Sequence, residues 1–546
     1  MGKSSIVAVC LGVAGALLVA CSSSTKSVQS NTVPAGNSVS VAANSPAVTA
    51  PIATDSPSTS STVADRPVQA GAKRMHFEVG PIDIKPGQNN IDFTKHVIPK
   101  PDVDGWIVRL APNLRLADGS IPGVDVIHLH HGVWLNQSGR DSTAPLPERF
   151  FAAGEEKTIM ALPVGYGYRY KATDKWILNY MIHNLWPDET QVWVTYDVDF
   201  IPADSAAAVG IEPARPIWTD VQNGSVYPVF DVAKGSGHDG LFTYPDDAAS
   251  AYGAAPAKNL WTVDRDGVLV ETAGHLHPGG LHTDLWLQRA NTSALAAHNK
   301  PGAPDTARLF DSRANYWEPA GAVSWDVAMT ATPESWRVAV HKGDILSTTA
   351  TYDSAKASWY ESMGIMVVWM ADKVAGSEAA APDPFVTAVD ADGQLTHGHL
   401  AENDNHGGGV DPHYVDVSKL ASQPAATPIP IGAFIYGQGD MMRGGPIPTV
   451  APGGTITFDN QDAPLGNGEW HTITACKAPC NQATGVAYPL ADADIAFDSG
   501  QLGAVGPPTA GRVTWSTPAD LPPGTYTYFC RIHPVMRGSF RIASGS

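Results

Sequence analysis

The run Tyr528-Phe529-Cys530-Arg531-Ile532-His533-Pro534-Val535-Met536 brings a thiol, an imidazole and a thioether into one short segment. The preceding Pro523-Gly524-Thr525-Tyr526-Thr527-Tyr528-Phe529 reads as a turn and an alternating strand. Cys530 therefore ends a strand, and the short turn after it brings His533 and Met536 back around one point. A second imidazole comes from upstream, in Gly468-Glu469-Trp470-His471-Thr472-Ile473-Thr474. Two histidines, a thiolate and a weak thioether are the ligand set of a type 1 copper centre. Pro452-Gly453-Gly454-Thr455-Ile456-Thr457-Phe458-Asp459-Asn460 supplies an earlier strand of the same sandwich.

Over about residues 428–543 these motifs resemble the plastocyanin and amicyanin cupredoxins, with the tight Cys530-to-Met536 loop in the amicyanin-like form. The resemblance implies a Greek-key β-sandwich over 428–546, with copper held by His471, Cys530, His533 and Met536. Cys476 and Cys480 follow His471 closely. In an oxidising compartment they suit a small disulfide loop; a second metal site is the other reading.

The rest of the chain is read outward from that end. At roughly 100–200 residues per domain, 546 residues suggest three or four domains. Glycine (52) and proline (44) are abundant and strand-like alternation recurs. Long helical periodicity is missing, so the fold class expected is mainly β. A net charge of −19 argues against nucleic acid, which needs a basic face. Residues 22–475 contain no cysteine, so the middle of the chain must stand on its own core.

The beginning reads as an export signal. Lys3 precedes an apolar run, Ile6 to Ala20, which is short for a membrane span. It ends in Leu18-Val19-Ala20-Cys21, which resembles the lipobox of bacterial lipoproteins and implies acylation at Cys21. The alternative is an ordinary signal peptide. Residues 22–73 are Ser, Thr, Ala, Val and Pro with no aromatics until the folded part, a composition suited to a flexible tether. The expectation is a protein of the bacterial cell envelope, lipid-anchored on the extracytoplasmic face and not membrane-spanning.

Three histidine strings mark the middle: Val126-Ile127-His128-Leu129-His130-His131-Gly132, Asn179-Tyr180-Met181-Ile182-His183, and Thr272-Ala273-Gly274-His275-Leu276-His277-Pro278-Gly279-Gly280. On one strand, His275 and His277 share a face and can share a metal. Adjacent His130 and His131 point apart and need a bulge or twist to converge. The other reading of these residues is histidines that satisfy buried polar groups.

In their order along residues 75–375 these strings resemble the copper type II ascorbate-dependent monooxygenases, the family of peptidylglycine α-hydroxylating and dopamine β-monooxygenases. His130-His131 is followed by Val164-Gly165-Tyr166-Gly167-Tyr168-Arg169 and then His183; His275 and His277 are followed by Lys342-Gly343-Asp344 and then Met363. The resemblance implies two jelly-roll β-sandwich domains, over 74–205 and 206–376, and two further mononuclear copper ions. One, on His130, His131 and His183, would store an electron. The other, on His275, His277 and Met363, would bind dioxygen and carry the catalysis. It implies a small-molecule substrate and an external electron donor.

This sequence departs from the family where peptide substrates are held. Ala273, Ile365 and Val367 stand where the peptide-processing enzymes have arginine, asparagine and tyrosine. Apolar side chains cannot replace a charge-assisted clamp on a carboxylate, so glycine-extended peptides are not the expected substrate. A weaker likeness runs to plant stress-upregulated nodulin-type proteins. Between the parts, residues 377–427 read as a linker with a polar loop carrying His397, His399, Glu402, Asp404, His406 and His413, either a third metal site or a docking loop. His282, Met366 and Met370 read as supporting or core residues. The expected whole is a copper-dependent monooxygenase-like oxidoreductase with a fused type 1 electron-transfer domain. The rival is a non-catalytic copper carrier or copper-homeostasis lipoprotein. A multicopper oxidase is disfavoured, because Cys530 lies between Phe529 and Arg531 and not between histidines.

Overall fold

The computed structural model describes residues 61–545, except 86–90, 125–126, 185–188, 223–228, 250–258, 290–304, 318–325, 356–357, 404–415, 442, 464–470, 478–495, 504–511, 532 and 534–535. The leader with Cys21, most of the tether, the Cys476–Cys480 pairing, His406 and His413 lie outside the described residues. The chain divides into Met1–Thr59 and Ser60–Ser546, and all the described residues belong to the second unit. They are mainly β, and helix among them is limited to single turns.

The first sandwich packs two sheets face to face. One orders Ile91–Phe93, Trp176–Asn184, Ile127–Arg140 and Pro147–Gly154; the other contains Lys73–Ile84, Thr190–Pro202, Gly105–Leu116 and Tyr166–Tyr170. Strand Thr190–Pro202 shows why: Val192, Val194, Tyr196, Val198 and Phe200 recur at every second position and all are buried. Alternate side chains of a strand share a face, so this period puts one whole face into the core. They meet Trp134, Phe150, Trp176 and Leu178 of the facing sheet.

A short parallel pairing, Tyr166 with Glu212 and Gly167 with Pro213, continues the sheet into the second sandwich. There Glu212–Asp220, Ile365–Ala371, Gly267–His275 and Val327–Ala331 lead round to Thr306–Tyr316, Gly280–Gln288, Ile345–Asp353 and Leu241–Tyr244. Met366 and Met370 are buried in its core beside Leu269, Leu285, Phe310 and Val368. The third sandwich pairs Ser422–Pro424, Ile447–Val450, Arg537–Ile542, Gly524–Phe529, Thr474–Lys477 and Phe497–Asp498 in one sheet. Ile435–Tyr436, Ile429–Gly432, Thr457–Asn460 and Thr514–Ser516 make the other. Parallel neighbours such as Ile447–Val450 beside Arg537–Ile542 mark its Greek-key crossovers.

Two expected boundaries shift. Residues 61–72, read as tether, are already part of the fold: Val63 is buried and its N–H donates to Leu395 at 2.9 Å, while Arg66 Nε donates to Gln394 at 3.1 Å. The supposed linker also packs. Gln394–Leu395 pairs with Val327–Ala331, Phe385 joins the second core, and Asp383 accepts a bond from Arg289 Nη1 at 2.8 Å. Few apolar residues announce either segment, because both are held by polar bonds to an existing sheet.

Candidate metal centres

Strand Ile127–Arg140 is buried from Ile127 to Asn136, with a partner on each side. Plain alternation would send His130 and His131 to opposite faces. Instead the register against Trp176–Asn184 shifts between Leu129, opposite Ile182, and His131, opposite Met181. The extra residue is His130, and such a bulge re-aims side chains. The His130 ring stacks on His183 at 4.2 Å and on His277 at 3.8 Å between centroids. His128 Nε2 lies 3.1 Å from His183 Nδ1, and its own Nδ1 is 2.8 Å from the Val124 carbonyl.

His275 is the last residue of its strand, and His277 falls in the following turn, closed by Gly280 N–H to the His277 carbonyl at 2.9 Å. The expected single strand carrying both is therefore corrected. The pair still converges, with ring centroids 4.9 Å apart.

Two carboxylates that the sequence pattern did not single out organise this cluster. Glu155 and Glu156 follow strand Pro147–Gly154 and are fully buried. Glu155 Oε1 lies 3.0 Å from His277 Nδ1, and its Oε2 lies 3.6 Å from His130 Nδ1. Glu156 Oε1 lies 3.0 Å from His275 Nδ1 and accepts the Gly154 N–H at 2.9 Å. Of these carboxylate–imidazole contacts only Glu155–His277 is a hydrogen bond, and a carboxylate bonded to Nδ1 fixes the tautomer that leaves Nε2 of His277 as the ligand atom. Nε2 of His130, His275 and His277 is buried without a hydrogen-bond partner. Buried polar atoms left so are costly, unless they serve a metal. Burial, reinforced by neighbouring imidazoles, holds His130, His131, His183 and His277 well below the usual histidine range, and burial holds His128 at about 4. At neutral pH these imidazoles are uncharged and able to ligate. Burial, with Glu156 alongside, pushes the Glu155 carboxyl well up. The signal for this pair was an adjacent Glu-Glu at the end of an apolar strand.

Two sets of ligand atoms each fall within 4.8 Å: His128, His130, His183 and His130, His131, His277. This grouping departs from the expected pair of separate sites, because His130 stands between His183 and His277. Met363 is buried with Val133, Leu135, Ala152, Trp218 and Ile365. Its backbone is tied to that of His277 through the Tyr352 hydroxyl. A cavity of about 20 Å³ opens beside His275, lined by Ala273, Ile365 and Val367 together with Glu271, Thr158 and Trp369. That is room for about one water molecule. Burial raises the Glu271 carboxyl to about 8, so it faces the cavity uncharged at neutral pH.

At the other end, Cys530 Sγ lies 3.9 Å from His471 Nδ1 and 3.6 Å from His533 Nδ1, and the two Nδ1 atoms are 3.1 Å apart. The N–H groups of Thr472 and His533 each donate to Sγ at 3.4 Å. The loop is closed by Met536 N–H to the His533 carbonyl at 2.8 Å and Cys530 N–H to the Met536 carbonyl at 3.1 Å, with Met536 buried. His471 Nε2 is anchored on Asp462 at 2.9 Å, which turns Nδ1 toward the thiol. Burial alone would raise the Cys530 thiol, but hydrogen bonds from His471 and His533 carry it well below its usual range. A thiolate with two Nδ1 atoms fits a soft ion with histidine–thiolate preference. Phe434 covers the rings edge-on, 5.5 Å from His471 and 4.9 Å from His533.

The loop histidines divide. His397 is a docking residue: Nε2 lies 2.6 Å from the Glu156 carbonyl, while Lys157 Nζ donates to Glu402 at 2.7 Å. These bonds seat the loop against the turn that carries Glu155 and Glu156. His399 faces Asp326 at 3.5 Å. His282, Asp284 and Asp311 also converge, but Arg308 and Arg313 already compensate their charge.

No family model and no curated protein matches the chain. Among solved structures it is similar to a copper-containing nitrite reductase from Thermus scotoductus SA-01, at 14% identity over 51% of this chain and 55% of that one, TM-score 0.14. It is also similar to a triple jelly roll fold of an archaeal virus turret, at 8% identity over 56% of this chain and 60% of that one, TM-score 0.13. The chain thus spans less than two thirds of either, and likeness at this level carries no functional argument.

Proposed function

We propose that the protein is an extracytoplasmic copper oxidoreductase. In this reading a type 1 site in the third sandwich supplies electrons to a buried histidine centre, where dioxygen is used to hydroxylate a small substrate. The observation that carries it is the convergence of two overlapping ligand sets that share His130, namely His128, His130, His183 and His130, His131, His277, in the same folded unit as a His471–Cys530–His533 set. The monooxygenase chemistry rests on the order of the histidine strings, and the anchoring on the lipobox-like Cys21.

Copper, when bound, would supply one-electron chemistry and a site for dioxygen. The residues do the rest. His471, Cys530, His533 and Met536 would hold the electron-carrying ion. His130, His131, His183 and His277, with His128 and His275 beside them, would hold the two central metal ions. Glu155 and Glu156 orient the imidazoles, and Asp462 orients His471. Ala273, Ile365 and Val367 offer no carboxylate clamp, which disfavours glycine-extended peptides. An external donor must return the electrons consumed. The test is copper stoichiometry with electron paramagnetic resonance on a soluble fragment beginning at Ser60. About three coppers per chain, one of them type 1, is the expected result. A single type 1 copper after full loading would reduce the protein to an anchored electron carrier.

A further inference from the structure

The third sandwich touches the second at Trp359, whose indole packs on the turn that carries His277. Arg531, bonded directly to Cys530, has a largely covered side chain, and its guanidinium carbon lies 4.4 Å from the ring of Trp359 and 5.6 Å from that of Tyr360. Its N–H donates to Thr472 Oγ1 at 2.9 Å, so the residue is held at both ends. The same indole lies against Gly279: a Cβ there would fall 2.2 Å from Trp359 Cδ2. Gly279, at φ +94°, is two residues beyond His277, inside the turn closed by Gly280 N–H. Trp359 Nε1–H donates to the Asp353 carbonyl, and Asp353 N–H donates to the Gly279 carbonyl at 2.8 Å. Around this contact Tyr360 Oη donates to Asp498 at 3.0 Å and Gln501 Nε2 donates to Asp231 at 3.1 Å.

We propose that Trp359 is the electronic contact between the two copper sites. The proposal rests on the proposed function, in which both sites hold copper. One electron leaves the Cys530 site along the Cys530–Arg531 main chain and the Arg531 side chain, crosses from the guanidinium to the indole, and enters the central cluster through the Gly279–His277 turn. The first copper goes from the cuprous to the cupric state and the second does the reverse. No proton moves, and an external one-electron donor restores the first site. Trp359 is buried, and its π-system bridges a gap that saturated side chains would bridge poorly.

The experiment reduces the type 1 site of the copper-loaded full chain with a radical pulse and follows recovery of its blue absorbance. Trp359→Leu should slow recovery about tenfold or more, and Trp359→Phe less, with copper content and the blue spectrum unchanged. Tyr360→Phe removes the Asp498 bond and loosens the interface but leaves the indole; its rate should stay near that of the parent. An unchanged rate in Trp359→Leu, or an equal loss in Tyr360→Phe, overturns the route and leaves the His533 edge as the exit. Failure of the unsubstituted protein to recover at all, with both sites filled, overturns the functional reading as well.

Discussion

Tyr352 joins His277 to Met363 through one hydroxyl. Oη accepts the backbone N–H of His277 at 3.0 Å and that of Met363 at 3.2 Å, and donates to the Met363 carbonyl at 2.7 Å. Two segments far apart in sequence are thus fixed at the edge of the histidine cluster by a buried phenol. Tyr352→Phe keeps the ring and removes all three bonds, leaving buried backbone groups unpaired. The expected cost is about 1–3 kcal/mol of stability and roughly a tenfold loss of copper affinity at the central cluster. Competition titration with a copper chelator checks it, and the blue band of the Cys530 site should not move.

Glu155 makes a sharper case, because it bonds the His277 nitrogen that would face away from a metal, while Glu156 lies 3.0 Å from His275 Nδ1. Glu155→Ala releases His277 and the nearby His130; Glu156→Ala releases His275. Outer carboxylates of this kind contribute about 10–100-fold to metal affinity. Glu155→Ala should therefore weaken the central site by that order while Cys530 keeps its copper. Equal weakening at both ends would mean a general loss of fold, which circular dichroism would register.

The legibility of the sequence depends on the range of its interactions. His533 and Met536 lie within six residues of Cys530, so their return toward the thiol could be read from local turn geometry. The convergence of His130 and His131 required a bulge, and the register shift at His130 is that bulge. What could not be read is which histidines become neighbours. His130 meets His277 because two sandwiches share an edge through Tyr166 and Gly167, and no periodicity encodes that. Glu155 and Glu156 look like surface charge in sequence, since His277 and His275, which lie against them, are more than a hundred residues away. Val63 and Gln394 were hidden for a similar reason: backbone pairing with distant strands holds both, and Val63 adds one isolated apolar side chain.

The contact between the second and third sandwiches should depend on pH through Asp231. Its carboxyl accepts the Glu361 N–H at 3.3 Å and Gln501 Nε2 at 3.1 Å, and burial raises it to about 7. In an unfolded chain the same group titrates near ~3.9. Between those values the unfolded chain gives up its proton while the folded protein keeps it. Stability from this group therefore falls as pH rises from about 4 to about 7 and is level above. Asparagine can accept the same two bonds and has no proton to lose. Asp231→Asn should melt higher than the parent at pH ~8 and nearly level with it at pH ~4. A constant difference across that range would assign the effect to packing.

Gly154 offers the closest steric test of the central cluster. It pairs with His131 across the sheet, and a Cβ there would lie 2.3 Å from the His130 carbonyl oxygen, 2.7 Å from His275 Cε1 and 2.9 Å from Glu156 Oε2. The carbonyl belongs to a bulged strand with partners on both sides, so it cannot retreat cheaply. Gly154→Ala should cost about 1–3 kcal/mol, the range for overpacking a filled interior. The added methyl would also push His130 and His275 apart from the Glu156 turn. Central copper should be lost or weakened while the Cys530 site stays blue, measured by metal content and absorbance on the same sample. Full copper binding with unchanged stability would show that the strands Ile127–Arg140 and Pro147–Gly154 lie further apart than the glycine implies.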